Sequence, residues 1–203
     1  MSEYCIVKTI VANLYKEPSF KSELVTQALL KEKLYILDKK HNWYNVKQWD
    51  GYESWVHKFY ISDSDSMIGW DEINIDKKSI NELILYAKSF IGTPYLWGGK
   101  SSLGFDCSGF VQTVFKMCGI NLPRDASQQI LANKLCEINF KNTEVGDLLF
   151  FIENNNVNHV AIYYGNGQII HSSGCVKIET LTENKELYKK LHKIMSIKKL
   201  FNG

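Results

Sequence analysis

Residues 92–110 read Gly92-Thr93-Pro94-Tyr95-Leu96-Trp97-Gly98-Gly99-Lys100-Ser101-Ser102-Leu103-Gly104-Phe105-Asp106-Cys107-Ser108-Gly109-Phe110. A glycine-rich loop runs into a cysteine, and from there the apolar positions Phe110, Val111, Val114, Phe115 and Cys118 recur at helical spacing on one face. This pattern predicts an amphipathic helix from near Cys107 to Cys118, with Gly119 as the residue just past its end. A cysteine in the first turn sits where the helix dipole favours thiolate over thiol, and the glycines before it let another backbone come close. On its own such a cysteine is most often a small buried hydrophobe. A nucleophile needs a base from elsewhere in the chain.

Downstream the period changes to alternation. Asp147 to Ile152, Asn158 to Tyr164 and Gln168 to Ser172 read as strands, with Gly165-Asn166-Gly167 turning the second into the third. His159 and His171 then stand on adjacent strands of one hairpin, His159 placed to face the thiol and His171 to orient it. Upstream, Ser79-Ile80-Asn81-Glu82 is a capping box. It opens a helix whose apolar face is Ile80, Leu83, Ile84, Ala87 and Ile91, ended by Gly92-Thr93-Pro94. A third helix is expected around Ser127 to Asn133, a charged helical stretch near Glu183 to Leu191, and a last strand near Ile194 to Leu200. Helices followed by an antiparallel sheet make residues 79–203 an α+β domain.

The front of the chain is different. From Tyr4 to Ile61 short strands alternate with turn signals, clearest at Leu34-Tyr35-Ile36-Leu37, Trp43-Tyr44-Asn45-Val46 and Ser54-Trp55-Val56. Asp50-Gly51 is a hairpin turn between two of them. Such a segment fits a small all-β barrel over residues 1–64, in which Trp43, Trp49 and Trp55 serve as core and rim. The polar run Ser62-Asp63-Ser64-Asp65-Ser66 marks the boundary, and residues 65–78 are read as a linker.

Composition bounds the function. Lys and Arg number 24 against 22 Asp and Glu, a formal charge of +2, which gives no electrostatic case for nucleic acid or a membrane surface. No apolar run approaches the roughly 18 residues of a membrane helix. The start Met1-Ser2-Glu3-Tyr4 lacks a basic-then-apolar leader. The five cysteines Cys5, Cys107, Cys118, Cys136 and Cys175 are odd in number and show no paired spacing, which suits a reducing compartment. A cytoplasmic location is the resulting expectation. Neither Cys-x-x-Cys nor His-Glu-x-x-His occurs, so no metal site is expected, and no cofactor is required. His41, His57 and His192 read as structural or surface residues.

Taken together and in order, Thr93 to Gly99, Phe105-Asp106-Cys107-Ser108-Gly109-Phe110, Pro123-Arg124-Asp125-Ala126-Ser127-Gln128-Gln129, Gly146 to Phe151 and His159-Val160-Ala161-Ile162-Tyr163 resemble the NlpC-type cysteine peptidases of bacterial cell walls. The front segment is similar to a bacterial SH3 domain, with Ser54 where glycine usually precedes Trp55 and Leu14-Tyr15 for a commoner Leu-Arg. The resemblance implies a circularly permuted papain-like α+β fold with nucleophile Cys107, general base His159 and third polar residue His171. It implies γ-D-glutamyl to diamino acid endopeptidase activity on peptidoglycan stem peptides. Tyr95 becomes the expected side-chain donor to the oxyanion. Ser108 and Ser127 would hold the α-carboxylate of D-glutamate, and Asp106 the amine of a terminal L-alanine. In the subgroup whose barrel blocks part of the cleft, a barrel tyrosine and glutamate complete that amine pocket, and Tyr52 and Glu17 are the expected pair. The preferred substrates are then small recycled L-Ala-γ-D-Glu-diamino acid peptides, with no protein partner. A secreted wall hydrolase, a non-catalytic peptide-binding module and another thiol acyl transferase are the alternatives.

Overall fold

The computed structural model describes residues 3–63 and 76–201. The first unit is a seven-stranded antiparallel sheet of β1 (Tyr4–Val7), β2 (Val11–Tyr15), β3 (Leu24–Leu29), β4 (Lys33–Lys40), β5 (Trp43–Lys47), β6 (Glu53–His57) and β7 (Ile61–Asp63). Their spatial order is β3-β2-β6-β5-β4-β1-β7. Alternation places Leu14, Leu34, Val46 and Val56 in one fully buried core, as expected of a small SH3-like barrel. Trp43 is buried against Tyr15, Phe20 and His57 rather than in that core, while Trp49 and Trp55 are partly covered. The Asp50-Gly51 turn forms as expected, with Gly51 at φ +84° and its N–H donated to the Gln48 carbonyl. Most of the expected linker, residues 65–78, lies outside the described residues.

The second unit is α+β. Helix α1 (Ile80–Ser89) starts on the reciprocal Ser79–Glu82 capping box. A short hairpin of β8 (Lys100–Ser101) and β9 (Gly104–Phe105) leads into α2 (Cys107–Met117), followed by α3 (Ala126–Gln129). Six strands then make one antiparallel sheet: β10 (Cys136–Ile138), β11 (Leu148–Glu153), β12 (Asn156–Gly165), β13 (Gln168–Ser173), β14 (Cys175–Thr180) and β15 (Leu191–Ser196). Their order is β10-β15-β11-β12-β13-β14. Helices α4 (Lys185–Lys189) and α5 (Lys198–Phe201) complete the unit. The predicted apolar face of α2 packs on the sheet, with Phe110, Phe115, Leu148, Phe150 and Ile162 fully buried between them.

Four expectations need correction. Helix α1 stops at Ser89, and Ile91 is exposed rather than part of its face. The third helix is a single turn, because the Gln129 side chain bonds the Ser108 and Pro123 carbonyls while Leu131 beyond it points to water. The charged helix covers only Lys185–Lys189, and the last strand begins at Leu191 and ends at Ser196 before the chain coils into α5. Strands β10 and β14 were not anticipated; β10 is only three residues long, and both are half-exposed without clean alternation.

The barrel is seated on the second unit through β3. Gln27 Oε1 accepts from the Lys100 N–H and the Ser101 hydroxyl at 3.1 and 3.0 Å. Gln112 on α2 donates to Asp50 at 2.8 Å, and Arg124 Nε donates to Thr26 at 3.1 Å. Gly98, at φ +74°, lies so close that a Cβ there would stand 2.6 Å from the Leu24 carbonyl oxygen. Only glycine allows this approach.

Candidate active site

The first turn of α2 is built around Asp106. As N-cap it accepts the Gly109 N–H, its other oxygen accepts the Gly98 N–H at 2.9 Å, and both oxygens are bound by Arg124. Arg124 is 1% exposed and is the largest fully buried side chain among the described residues. The Asp106 charge pulls its pKa up against burial. Ser108 is held in the same knot, donating to Asp106 and accepting from Arg124 Nη1 at 3.0 Å. Asp106 thus accepts from Arg124, Gly98, Gly109 and Ser108, which positions the helix start and Cys107, while its side chain, 11% exposed, still lines the cleft.

Cys107 is 7% exposed and opens onto a cleft of about 540 Å³. Its Sγ is 3.8 Å from the Asn158 carbonyl, the one hydrogen-bond acceptor it meets. Burial, then the Asp106 charge, pushes the thiol up to about 11, so the helix dipole does not hold a thiolate in the resting site. His159 is backed by the Phe151 ring at 5.5 Å between centroids. Its Nε2 lies 2.8 Å from His171 Nδ1, so the ring's other nitrogen, Nδ1, is the one left for the thiol. Burial pushes both imidazoles down, His159 to about 3 and His171 to about 4. The thiol and both imidazoles are therefore neutral in the resting site.

Tyr95 is fixed by its N–H to the Gly174 carbonyl and lines the cleft beside Cys107. Burial and the neighbouring thiol raise its phenol to about 12, which keeps it a proton donor. Ser127 is exposed on the cleft wall. The barrel end of the cleft carries Tyr52, as expected, but not Glu17. The loop before β3 folds back through the Lys16 N–H to Glu23 carbonyl bond, so that Glu17 points to solvent and Glu23 reaches the cleft. Glu23 Oε1 accepts from Trp97 Nε1 across the two units at 3.0 Å. Tyr52 donates to Asp125, whose carboxyl is itself raised by burial; burial first, then the Asp125 charge and this bond, raise Tyr52 to about 12.

Sequence reasoning named Cys107, His159, His171, Tyr95, Asp106, Ser108, Ser127 and Tyr52, and the structure brings them to one cleft or directly behind it. It missed Glu23, Asp125, Arg124 and Trp97. Three of these were legible in part. The block Arg124-Asp125-Ala126-Ser127-Gln128-Gln129 divides its labour: Arg124 beneath Asp106, Asp125 beneath Tyr52, Ser127 in the cleft and Gln129 clamping the Ser108 carbonyl. Beyond Cys107 the cleft is closed by Val157, Asn158 and Glu153, the last accepting from Asn158 at 3.1 Å and paired with Lys190.

Comparison with known proteins agrees with this geometry. The NlpC/P60 family matches residues 92–195, and the bacterial dipeptidyl-peptidase SH3 domain matches residues 14–58. A γ-D-glutamyl-L-lysine dipeptidyl-peptidase of Bacillus cereus is 34% identical over 176 residues, 83% of this chain and 49% of that protein. One of the same name from Bacillus subtilis is 39% identical over 122 residues, 58% of this chain and 40% of its own length. The chain thus spans about half the length of the curated relatives it matches. Among solved structures, an NlpC/P60 family protein of Bacillus cereus superposes with a TM-score of 0.56 at 28% identity, covering 95% of this chain and 62% of that one.

Proposed function

This chain belongs to the NlpC/P60 family of cysteine peptidases, and from that premise we propose that it hydrolyses the γ-D-glutamyl to diamino acid bond of small peptidoglycan peptides bearing a free N-terminal amine. One observation carries the free-amine reading: at one end of the cleft two carboxylates, Glu23 from the barrel loop and Asp125 from the second unit, converge around Tyr52. An exposed carboxylate, Glu23, and a half-buried one, Asp125, beside a neutral phenol suit an ammonium. The two units meet at this side of the cleft, where Leu24 of the barrel abuts Gly98 and Trp97 of the second unit donates to Glu23.

Catalysis follows from the atoms in place. The Cys107 proton passes to His159 Nδ1 as Sγ bonds the γ-carbonyl carbon, and the carbonyl oxygen takes the negative charge. The Cys107 N–H, a first-turn amide with no intrahelical acceptor, and the Tyr95 hydroxyl donate to that oxyanion. The His159 imidazolium returns its proton to the leaving amine as the C–N bond breaks. Water, deprotonated by His159, then cleaves the thioester and releases the acid. Ser127, exposed on the cleft wall, takes the α-carboxylate of D-glutamate, while the Ser108 hydroxyl, whose one proton goes to Asp106, supports the first turn behind it. The diamino acid leaves toward Asn158 and Glu153.

A reducing compartment fits five free cysteines, and recycling of small peptides in the cytoplasm is the setting we favour. Mass spectrometry of products from L-Ala-γ-D-Glu-meso-diaminopimelate, its L-lysine counterpart and intact peptidoglycan tests the reading, with Cys107→Ala as control. The expected result is release of L-Ala-D-Glu from the tripeptides and not from intact wall. Activity surviving in Cys107→Ala would overturn the mechanism, and cleavage of intact wall would make the protein a wall hydrolase.

A further inference from the structure

An imidazole has two neutral tautomers, and only one of them gives His159 a bare Nδ1 to accept the thiol proton. The contact between His159 Nε2 and His171 Nδ1 at 2.8 Å contains a single proton, and which ring owns it decides whether the site can work. That choice is made one strand further out. His171 is 1% exposed, and its Nε2 lies 3.0 Å from Glu179 Oε1. The approach is oblique, so that no well-aligned hydrogen bond forms and Nε2 has no other partner. Direction nevertheless decides the matter: a bare nitrogen lone pair 3.0 Å from a carboxylate oxygen is repelled, whereas an N–H there is attracted. His171 therefore keeps its proton on Nε2, leaves Nδ1 bare and accepts the Nε2 proton of His159. The His159 Nδ1 lone pair is then free for Cys107.

We propose that Glu179 is a positioning residue that sets the tautomers of both histidines and so keeps His159 poised as the base; this rests on the acyl-transfer reading above. The fold supplies the relay by register. Ile162 faces Ile170 and Tyr163 faces Ile169 across β12 and β13, while His171 faces Lys177 across β13 and β14. His159, His171 and Glu179 are thus successive diagonal neighbours on one face of three adjacent strands. Glu179 is itself pinned. Lys177 Nζ lies 3.0 Å from its Oε2, and Asn184 Nδ2, at the start of α4, donates to Oε1 at 2.9 Å. The charged groups facing the relay are Lys177 and Glu179, and Lys177 balances the carboxylate without touching the imidazoles.

Long-range proton–nitrogen NMR correlations report each histidine's tautomer directly and need no substrate. In the wild type both His159 and His171 are expected as the Nε2–H form. Glu179→Ala, or Glu179→Met as the bulkier variant should the first not fold, is expected to give a mixture at both rings. It should lower kcat about tenfold to a hundredfold with KM unchanged, by analogy with the carboxylates that orient metal-bound histidines. Glu179→Gln, whose amide oxygen still accepts from Nε2–H, should restore most of the wild-type tautomer and rate. Retention of the pure Nε2–H form at both rings in a folded Glu179→Ala or Glu179→Met variant would overturn the proposal. A wild type that cleaves none of the peptides would defeat the proposed substrate, and the spectra would still decide the role of Glu179.

Discussion

Replacing Arg124 by leucine removes the counter-charge of Asp106 at a place water barely reaches. Arg124 is 1% exposed and the Asp106 side chain 11%. The variant also loses the Thr26 contact to the barrel and the support of Ser108. Asp106 would keep its bonds from the Gly98 and Gly109 N–H groups, so its charge would be hydrogen-bonded but unpaired. Breaking a buried pair by deleting one partner costs about 3–5 kcal/mol. For a chain of this size each kcal/mol moves Tm by about 2–4 °C, so Arg124→Leu is expected to melt roughly 6–20 °C below the wild type. Calorimetry at pH 7 measures this directly. Adding Asp106→Asn should recover part of the loss, because the two residues act as a unit and a neutral pair leaves no stranded charge. A loss below about 1 kcal/mol, or strictly additive effects of the two substitutions, would refute the placement of this ion pair beneath the nucleophile.

Three further outcomes follow from the site. Tyr95→Phe removes one oxyanion donor and should lower kcat by about a hundredfold, with stability retained; an unchanged kcat would remove Tyr95 from the oxyanion site. Because burial holds the Cys107 thiol up near 11, its alkylation by iodoacetamide should keep rising from pH 7 to pH 10, and a flat rate from pH 6 upward would instead reveal a resting thiolate–imidazolium pair. The histidines bind protons more weakly folded than unfolded, so stability should fall as pH drops from about 6.5 toward 4. For His171 alone, whose folded value is about 4, the loss is about 3 kcal/mol, and a Tm independent of pH across that window would contradict its burial as a neutral ring.

What was legible in the sequence is what local pattern encodes. The capping box at Ser79, the face of α2 and the Gly165-Asn166-Gly167 hairpin each state their geometry within a dozen residues, and from them the cysteine and both histidines converge. The resemblance then supplied their roles. The misses are all long-range. Glu17 and Glu23 are equally plausible glutamates until the barrel loop is seen to fold back, and nothing local says that Arg124 will lie buried against Asp106. Glu179 escaped because β14 has no clean alternation, so no strand was expected to carry it beside His171.

The central claim is that Glu23, Tyr52 and Asp125 make the cleft an ammonium pocket, and N-acetylation of the substrate tests it most directly. Each charge-assisted hydrogen bond lost is worth about 1.5–3 kcal/mol, and two are at stake. The ratio of kcat/KM for L-Ala-γ-D-Glu-meso-diaminopimelate to that for its N-acetyl form is therefore expected to exceed about a hundred. It should collapse toward one in a Glu23→Gln, Asp125→Asn double variant. Equal cleavage of the free and acetylated peptides by the wild type would contradict the account.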